Sequence, residues 1–248
     1  MASRTYRTVC VVLDKTKLKE TDLILTLLSE RGSQIRAVAK GARKPGSRLS
    51  ARCDLFNCVD VLLARGRTLD VVSQAELLHA PLGVNPDYES ISAASVVSDV
   101  AQLCCYEEAE DPFVFAITTR CLELLGRVVD QPHRDVLVAA FIFKLLSHVG
   151  YRPDYTACVS CSDPSLSYFS SSAGGLLCAS CAATVAGAEP VDGSTVQWLR
   201  ALLSLRFDEL LSHEIDLPRS TMLLALAHSW AATHLDARIR SLEFLMGH

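Results

Sequence analysis

Between Arg31 and Cys53 the chain has no acidic residue, and over its first 80 residues it has only two aromatic ones, Tyr6 and Phe56. The first absence leaves Arg31, Arg36, Lys40, Arg43, Lys44, Arg48 and Arg52 without a carboxylate nearby in sequence, and points to an anionic partner for this third of the molecule. The second excludes a face paved with stacking rings, so recognition there rests chiefly on charge. Long apolar runs are absent too. Val136 to Leu146 and Met222 to Ala232 are too short to span a bilayer, and Lys144 interrupts the first. Asp14 and Lys15 follow only a brief apolar stretch, so no secretory signal is read at the start and a soluble cytoplasmic protein is expected.

Signatures of catalysis are missing as well. HExxH, GxSxG and a GxGxxG fingerprint do not occur. His228 and His234 stand six residues apart on an expected helix, about 240° around its axis, and diverge instead of sharing a metal. Glu107, Glu108, Glu110 and Asp111 sit at a helix boundary and read as a solvated turn. The stretch "GARKPGSR", Gly41 to Arg48, spaces two glycines as a nucleotide-binding loop does. Ser47 replaces the required Lys, Arg48 replaces the Mg²⁺-binding hydroxyl, and Pro45 removes a backbone donor. A nucleotide hydrolase is therefore the weaker reading of this loop, and a surface that grips a phosphate backbone the stronger.

What is present divides along the chain. The first 80 residues carry 14 Lys and Arg against 8 Asp and Glu, a balance of +6, and the remainder carries −10, within a net charge of −4. Half of the residues are apolar and 21% charged, which excludes wholesale disorder. "RTVCVVL", "DLILTLL", "SQIRAVAK", "FNCVDVLLA" and "LDVVSQAELL" read as five short strands, separated by turn or charge signals at 14–19, 30–33, 41–46 and 65–68. In the third, Ile35, Ala37 and Ala39 alternate with Arg36, Val38 and Lys40. Five strands and one long loop suit a small barrel of the OB type.

After residue 82 the period changes to that of helices. Ala93, Val96, Val97, Val100, Ala101 and Cys104 share one face, and 111–129, 134–149 and 218–245 continue in that style, with Pro112 and Pro132 near helix starts. These wide apolar faces read as a buried helical core, with a partner-binding groove as the alternative. Six of the ten cysteines lie singly or as the adjacent pair Cys104 and Cys105 in apolar segments and read as small buried hydrophobes.

The other four form "CVSC" and "CASC": Cys158, Cys161, Cys178 and Cys181, with 162–177 between the pairs. This spacing suits a four-thiolate Zn²⁺ site, structural because no coordination position is left for water. Gly174 and Gly175 mark a hairpin turn between the knuckles. Reduced cysteines without metal, or a redox pair, are the alternatives. The expected organisation is α+β: a barrel over 1–82, a helical domain over 83–151 and 191–248, and a metal module inserted at 152–190.

Basic loop, helices and cysteine knuckles in this order resemble the RecO family of bacterial DNA repair proteins. "ETDLILTLLSERGSQIRAVAKGARKPGSRLSA" and "GRTLDVVSQAELL" carry the likeness in the first third, and "KLLSHVGYRPDYTACVSC" and "GGLLCASC" carry it in the middle. The resemblance implies an N-terminal OB fold that binds single- and double-stranded DNA, an all-helical domain and a zinc module. It implies a non-enzymatic recombination mediator of the RecFOR pathway, located at the nucleoid. Such a mediator binds RecR and the single-stranded DNA-binding protein SSB, helps RecA load on SSB-coated DNA, and anneals strands. By position, Lys40, Arg43, Lys44 and Arg48 match the family's basic loop, Arg65 and Arg67 fall in its next turn, and Arg36 and Arg52 flank the loop as further candidate DNA contacts. A zinc-bearing adaptor or transcription regulator without a repair role is the competing reading.

Overall fold

Alternating burial builds the first part of the chain. In this computed structural model, which describes residues 5–247, strands β1 (Thr5–Leu18), β2 (Asp22–Ser29), β3 (Gln34–Ala39), β4 (Cys58–Ala64) and β5 (Asp70–His79) close a barrel in the order β1-β2-β3-β5-β4. All neighbours are antiparallel except β3 and β5, which meet in parallel at Ala37–Asp70 and Val38–Val71. This is an OB-like barrel, as expected. Ala37 and Ala39 point into a core with Val12, Leu25, Leu27, Val59, Val61 and Leu63, and Ile35 packs against it, while Arg36 and Lys40 face solvent.

Two expectations fail here. The charged segment 14–19 is not a break: β1 runs on to Leu18 and pairs with β2, and its register slips between Val12 and Asp14. Backbone pairing continues after the strand has left the core, so Asp14, Lys15 and Thr16 can be polar without ending it. The second is α1 (Arg48–Arg52), a five-residue helix absent from the sequence-based reading. It places Leu49 against the barrel core and is followed by the buried Cys53.

The chain divides into two compact units, Met1–Arg127 and Val128–His248. The first also contains α2 (Tyr88–Cys104) and α3 (Pro112–Leu125), N-capped by Asp87 and Asp111. All six α2 positions placed on one face are buried. The acids at 107–110 are exposed, and Glu110 meets Arg31 at 3.2 Å.

In the second unit, α4 (Gln131–His148) packs on α8 (Leu217–His234), with α6 (Gly193–Ser204) and α7 (Phe207–Leu210) against α4. The stretch 218–245 is not one helix. It stops after His234, passes Asp236 at φ 46°, and resumes as α9 (Arg240–Leu245). Between α4 and α6, strands β6 (Tyr168–Ser170) and β7 (Gly175–Leu177) form the expected hairpin, followed by α5 (Ala179–Ala182) and completed by β8 (Glu189–Pro190). Phe169 anchors this module through Phe143 at 6.4 Å and Trp230 at 5.9 Å between ring centroids. His234 lies 4.1 Å from the Trp230 ring and stacks on Tyr151 at 5.2 Å, a packing histidine. Among the described residues no helix is long and apolar enough to cross a membrane.

Candidate nucleic-acid interface and metal centre

The loop after β3 owes its course to Gly41 at φ 65° and Gly46 at φ 72°, a region that side chains disfavour. Its backbone donors turn inward. Gly41 N–H donates to Asp22 Oδ1 at 2.8 Å, Ala42 to Ala39 O, Arg43 to Thr21 O at 2.8 Å, Lys44 to Gly41 O and Ser47 to Lys44 O. With these N–H groups engaged and Pro45 lacking one, no cradle of free amides remains for a nucleotide's phosphates. The loop presents side chains instead.

Those side chains differ in freedom. Lys40, Lys44 and Arg48 are exposed, with no ion-pair partner among the described residues. Arg43 is exposed too, but its Nη1 donates to Lys19 O at 3.1 Å and Glu20 O at 3.0 Å, tying the loop to the β1–β2 turn. Arg52 donates to Ala75 O at 2.8 Å and props α1 on β5. The acid-free stretch is not acid-free in space. The Gly41 N–H, with Thr21 and the charges of Lys19 and Lys40, holds the Asp22 carboxyl below its ordinary range, and Lys15 pairs with Asp54. Lys19 joins this end of the barrel through the β1–β2 turn, where sequence spacing from the loop concealed it.

Arg36, Arg65 and Arg67 assemble elsewhere, around a cleft of about 230 Å³ at the β3–β5 seam, also lined by Tyr6, Asp70 and Glu107. Pairing of β1 with β4 sets Tyr6 opposite Leu63, two residues before Arg65. The Arg65 guanidinium lies over the Tyr6 ring, 4.8 Å from its centroid. Asp70 holds the ring and the next turn's backbone: Oδ2 accepts the Tyr6 hydroxyl at 2.5 Å and Oδ1 accepts Gly66 N–H at 3.0 Å. Burial, then the bond to Asp70, raises the Tyr6 pKa far above the ordinary phenol value and keeps the proton on the ring oxygen. A Cβ at Gly66 would come within 1.8 Å of Leu69 O, so this turn admits glycine alone. Phe56, the other early aromatic, is buried at φ 69° and borders a different cavity, with Leu77 and Leu82.

In the module, the sulfurs of Cys158, Cys161, Cys178 and Cys181 all lie within 4.8 Å of one another. Cys161 and Cys178 are 3.7 Å apart, close to the edge of about 3.8 Å that a tetrahedron with metal–sulfur bonds of about 2.3 Å requires. The Cys178 backbone N–H, with those of Ser160 and Cys161, pulls the Cys158 thiol down to about 6, whereas the neighbouring Cys161 and Cys178 sulfurs push Cys181 up to about 12. One thiolate forms readily and the crowding opposes the last, which is the situation a bound cation relieves. The donor set therefore fits a metal ion. Among the scattered cysteines burial, and not neighbouring sulfur, raises the thiols of Cys53, Cys58 and Cys105 to about 11, as expected of packed hydrophobes.

Residues 1–81 match the family described as Recombination protein O N terminal, and residues 85–243 match Recombination protein O C terminal. The chain belongs to the RecO family. It is 35% identical to DNA repair protein RecO of Cutibacterium acnes and 34% identical to DNA repair protein RecO of Bifidobacterium animalis subsp. lactis, each over 97% of this chain and 98% of the relative. DNA repair protein RecO of a Nocardioides species is 35% identical over 80% of the chain and 82% of the relative. The two matched segments meet between residues 81 and 85, at the change from strands to helices in this RecO-family chain.

Proposed function

We propose that this RecO-family chain is a non-catalytic, DNA-binding recombination mediator in DNA repair. The observation that carries the reading is the OB-like barrel with two groups of exposed cations, one on the loop after β3 and one around the β3–β5 cleft. Lys40, Lys44 and Arg48 supply the freest phosphate contacts, Arg43 contributes what its tether leaves over, and Arg36, Arg65 and Arg67 extend the track; Arg52 serves mainly as a strut. Phosphate contacts of this kind release counterions and position a strand without reading its sequence.

The four cysteines hold Zn²⁺ in this reading. A closed four-thiolate set suits that ion, and its role is to fold the module. We keep the division into a barrel at 1–82, helical segments at 83–151 and 191–248, and a metal module at 152–190. The acidic balance after residue 80 suits protein partners better than DNA, and family membership makes RecR, SSB and RecA the partners to test, in the cytoplasm at the nucleoid.

The test is binding of the full chain to single-stranded oligonucleotides of equal length and unrelated sequence, without nucleotide. Affinities within about threefold of one another are expected for backbone recognition. Affinity concentrated on one sequence would favour a transcription regulator, and steady ATP turnover would favour an enzyme; either result defeats the proposal.

A further inference from the structure

We propose that the β3–β5 cleft receives one unpaired nucleobase, stacked on the face of the Arg65 guanidinium turned away from Tyr6. This rests on the DNA-binding reading and adds a base subsite to it. The first argument is preorganisation. Asp70 pins the Tyr6 ring at 2.5 Å and the backbone of the Arg65–Gly66–Arg67 turn at 3.0 Å, so both the aromatic support and the point from which the Arg65 side chain departs are set before any ligand arrives. The Tyr6 ring gives the exposed Arg65 side chain a surface to lie on, which reduces the rotamer freedom it must give up on binding.

The second argument is charge. Asp70 and Glu107 offset two of the three charges that Arg36, Arg65 and Arg67 bring to the cleft wall, so the cleft tolerates a neutral planar base. Arg36 and Arg67, exposed beside the cleft, are placed for the phosphates on either side of that base. The third is economy: of the two aromatics among the first 80 residues, Tyr6 lies at this cleft and Phe56 does not. Bases of a duplex are paired inside the helix and do not reach such a cleft, so the subsite favours single strands.

The experiment compares a thymidine oligonucleotide with an abasic oligonucleotide of the same length and charge, binding to the full-length protein and to Arg65→Lys. Arg65 is exposed, and lysine keeps the charge while removing the planar face. The wild type is expected to prefer the base-bearing strand by about tenfold, and Arg65→Lys to bring the two strands within about twofold with an unchanged salt slope. Equal wild-type affinities with an ordinary salt slope, or a preference that survives Arg65→Lys, would overturn the base subsite alone. Failure to bind either strand would overturn the DNA-binding reading and the subsite with it.

Discussion

The loop after β3 and the four-cysteine module each gather like residues within a short span, yet they gather them by opposite physics. Lys40, Lys44 and Arg48 stand apart in solvent, where each charge is screened and acts nearly alone. Cys158, Cys161, Cys178 and Cys181 crowd within 4.8 Å, and the sulfurs of Cys161 and Cys178 push up the Cys181 thiol, so the cage acts as a unit. An open cationic surface should fail by degrees when its members are removed. A closed thiolate cage should fail at once.

The largest effect that separates them is therefore expected at the metal. Cys158→Ala should lower metal content from about one equivalent per chain to near zero, measured by elemental analysis of protein prepared with reduced thiols and no chelator. Limited proteolysis should then cut within 152–190, while the salt dependence of DNA binding stays as in the wild type. A Cys158→Ala protein that keeps its metal and its module but loses DNA would collapse the distinction.

Next comes the barrel's second cationic group, whose turn Asp70 holds through the Gly66 N–H. Gly66→Ala forces a Cβ against the Leu69 carbonyl at 1.8 Å and should cost about 2 kcal/mol in chemical denaturation. Unchanged stability would mean that the turn is not rigid.

Arg52 and Lys44 sharpen the comparison within one loop. Arg52→Ala removes the bond to Ala75 O and should cost about 1 kcal/mol of stability with little change in salt slope; Lys44→Ala should do the reverse. The smallest expected effect concerns acid. The Arg219 guanidinium at 2.6 Å, helped by Thr195, holds Asp192 well below the usual carboxylate range. Because its folded pKa is depressed, its stabilisation is present above about pH 4 and fades as pH falls through the folded value. Asp192→Asn should flatten that part of the stability-against-pH curve, read by thermal unfolding in steps from neutral to acidic pH.

Strands and knuckles were legible because each follows a short-range period. Ala37 and Ala39 against Arg36 and Lys40 announce β3, and two CxxC pairs announce a cage whose geometry the hairpin between them supplies. The extension of β1 through Asp14 was hidden because its side chains are polar while its backbone still pairs with β2. Helix α1 is too short to show a period, and its purpose, setting Leu49 against the barrel core, depends on strands far away in sequence. The candidate cations all looked alike in sequence. What divides Arg43 and Arg52 from Lys44 and Arg48 is a bond to a backbone carbonyl in another element, and no sequence pattern encodes that. Tyr6 and Arg65 are likewise joined only by the register of β1 on β4.

The most direct measurement is the logarithm of single-stranded DNA affinity against the logarithm of salt concentration, for the wild type and for Lys40→Ala, Lys44→Ala, Arg48→Ala combined. With about five phosphates engaged, the wild-type slope should be near −3.5, and the triple variant should bring it to about −1.4 while the barrel stays folded. A slope that is flat in the wild type, or equally steep in a folded triple variant, would contradict the assignment of this surface.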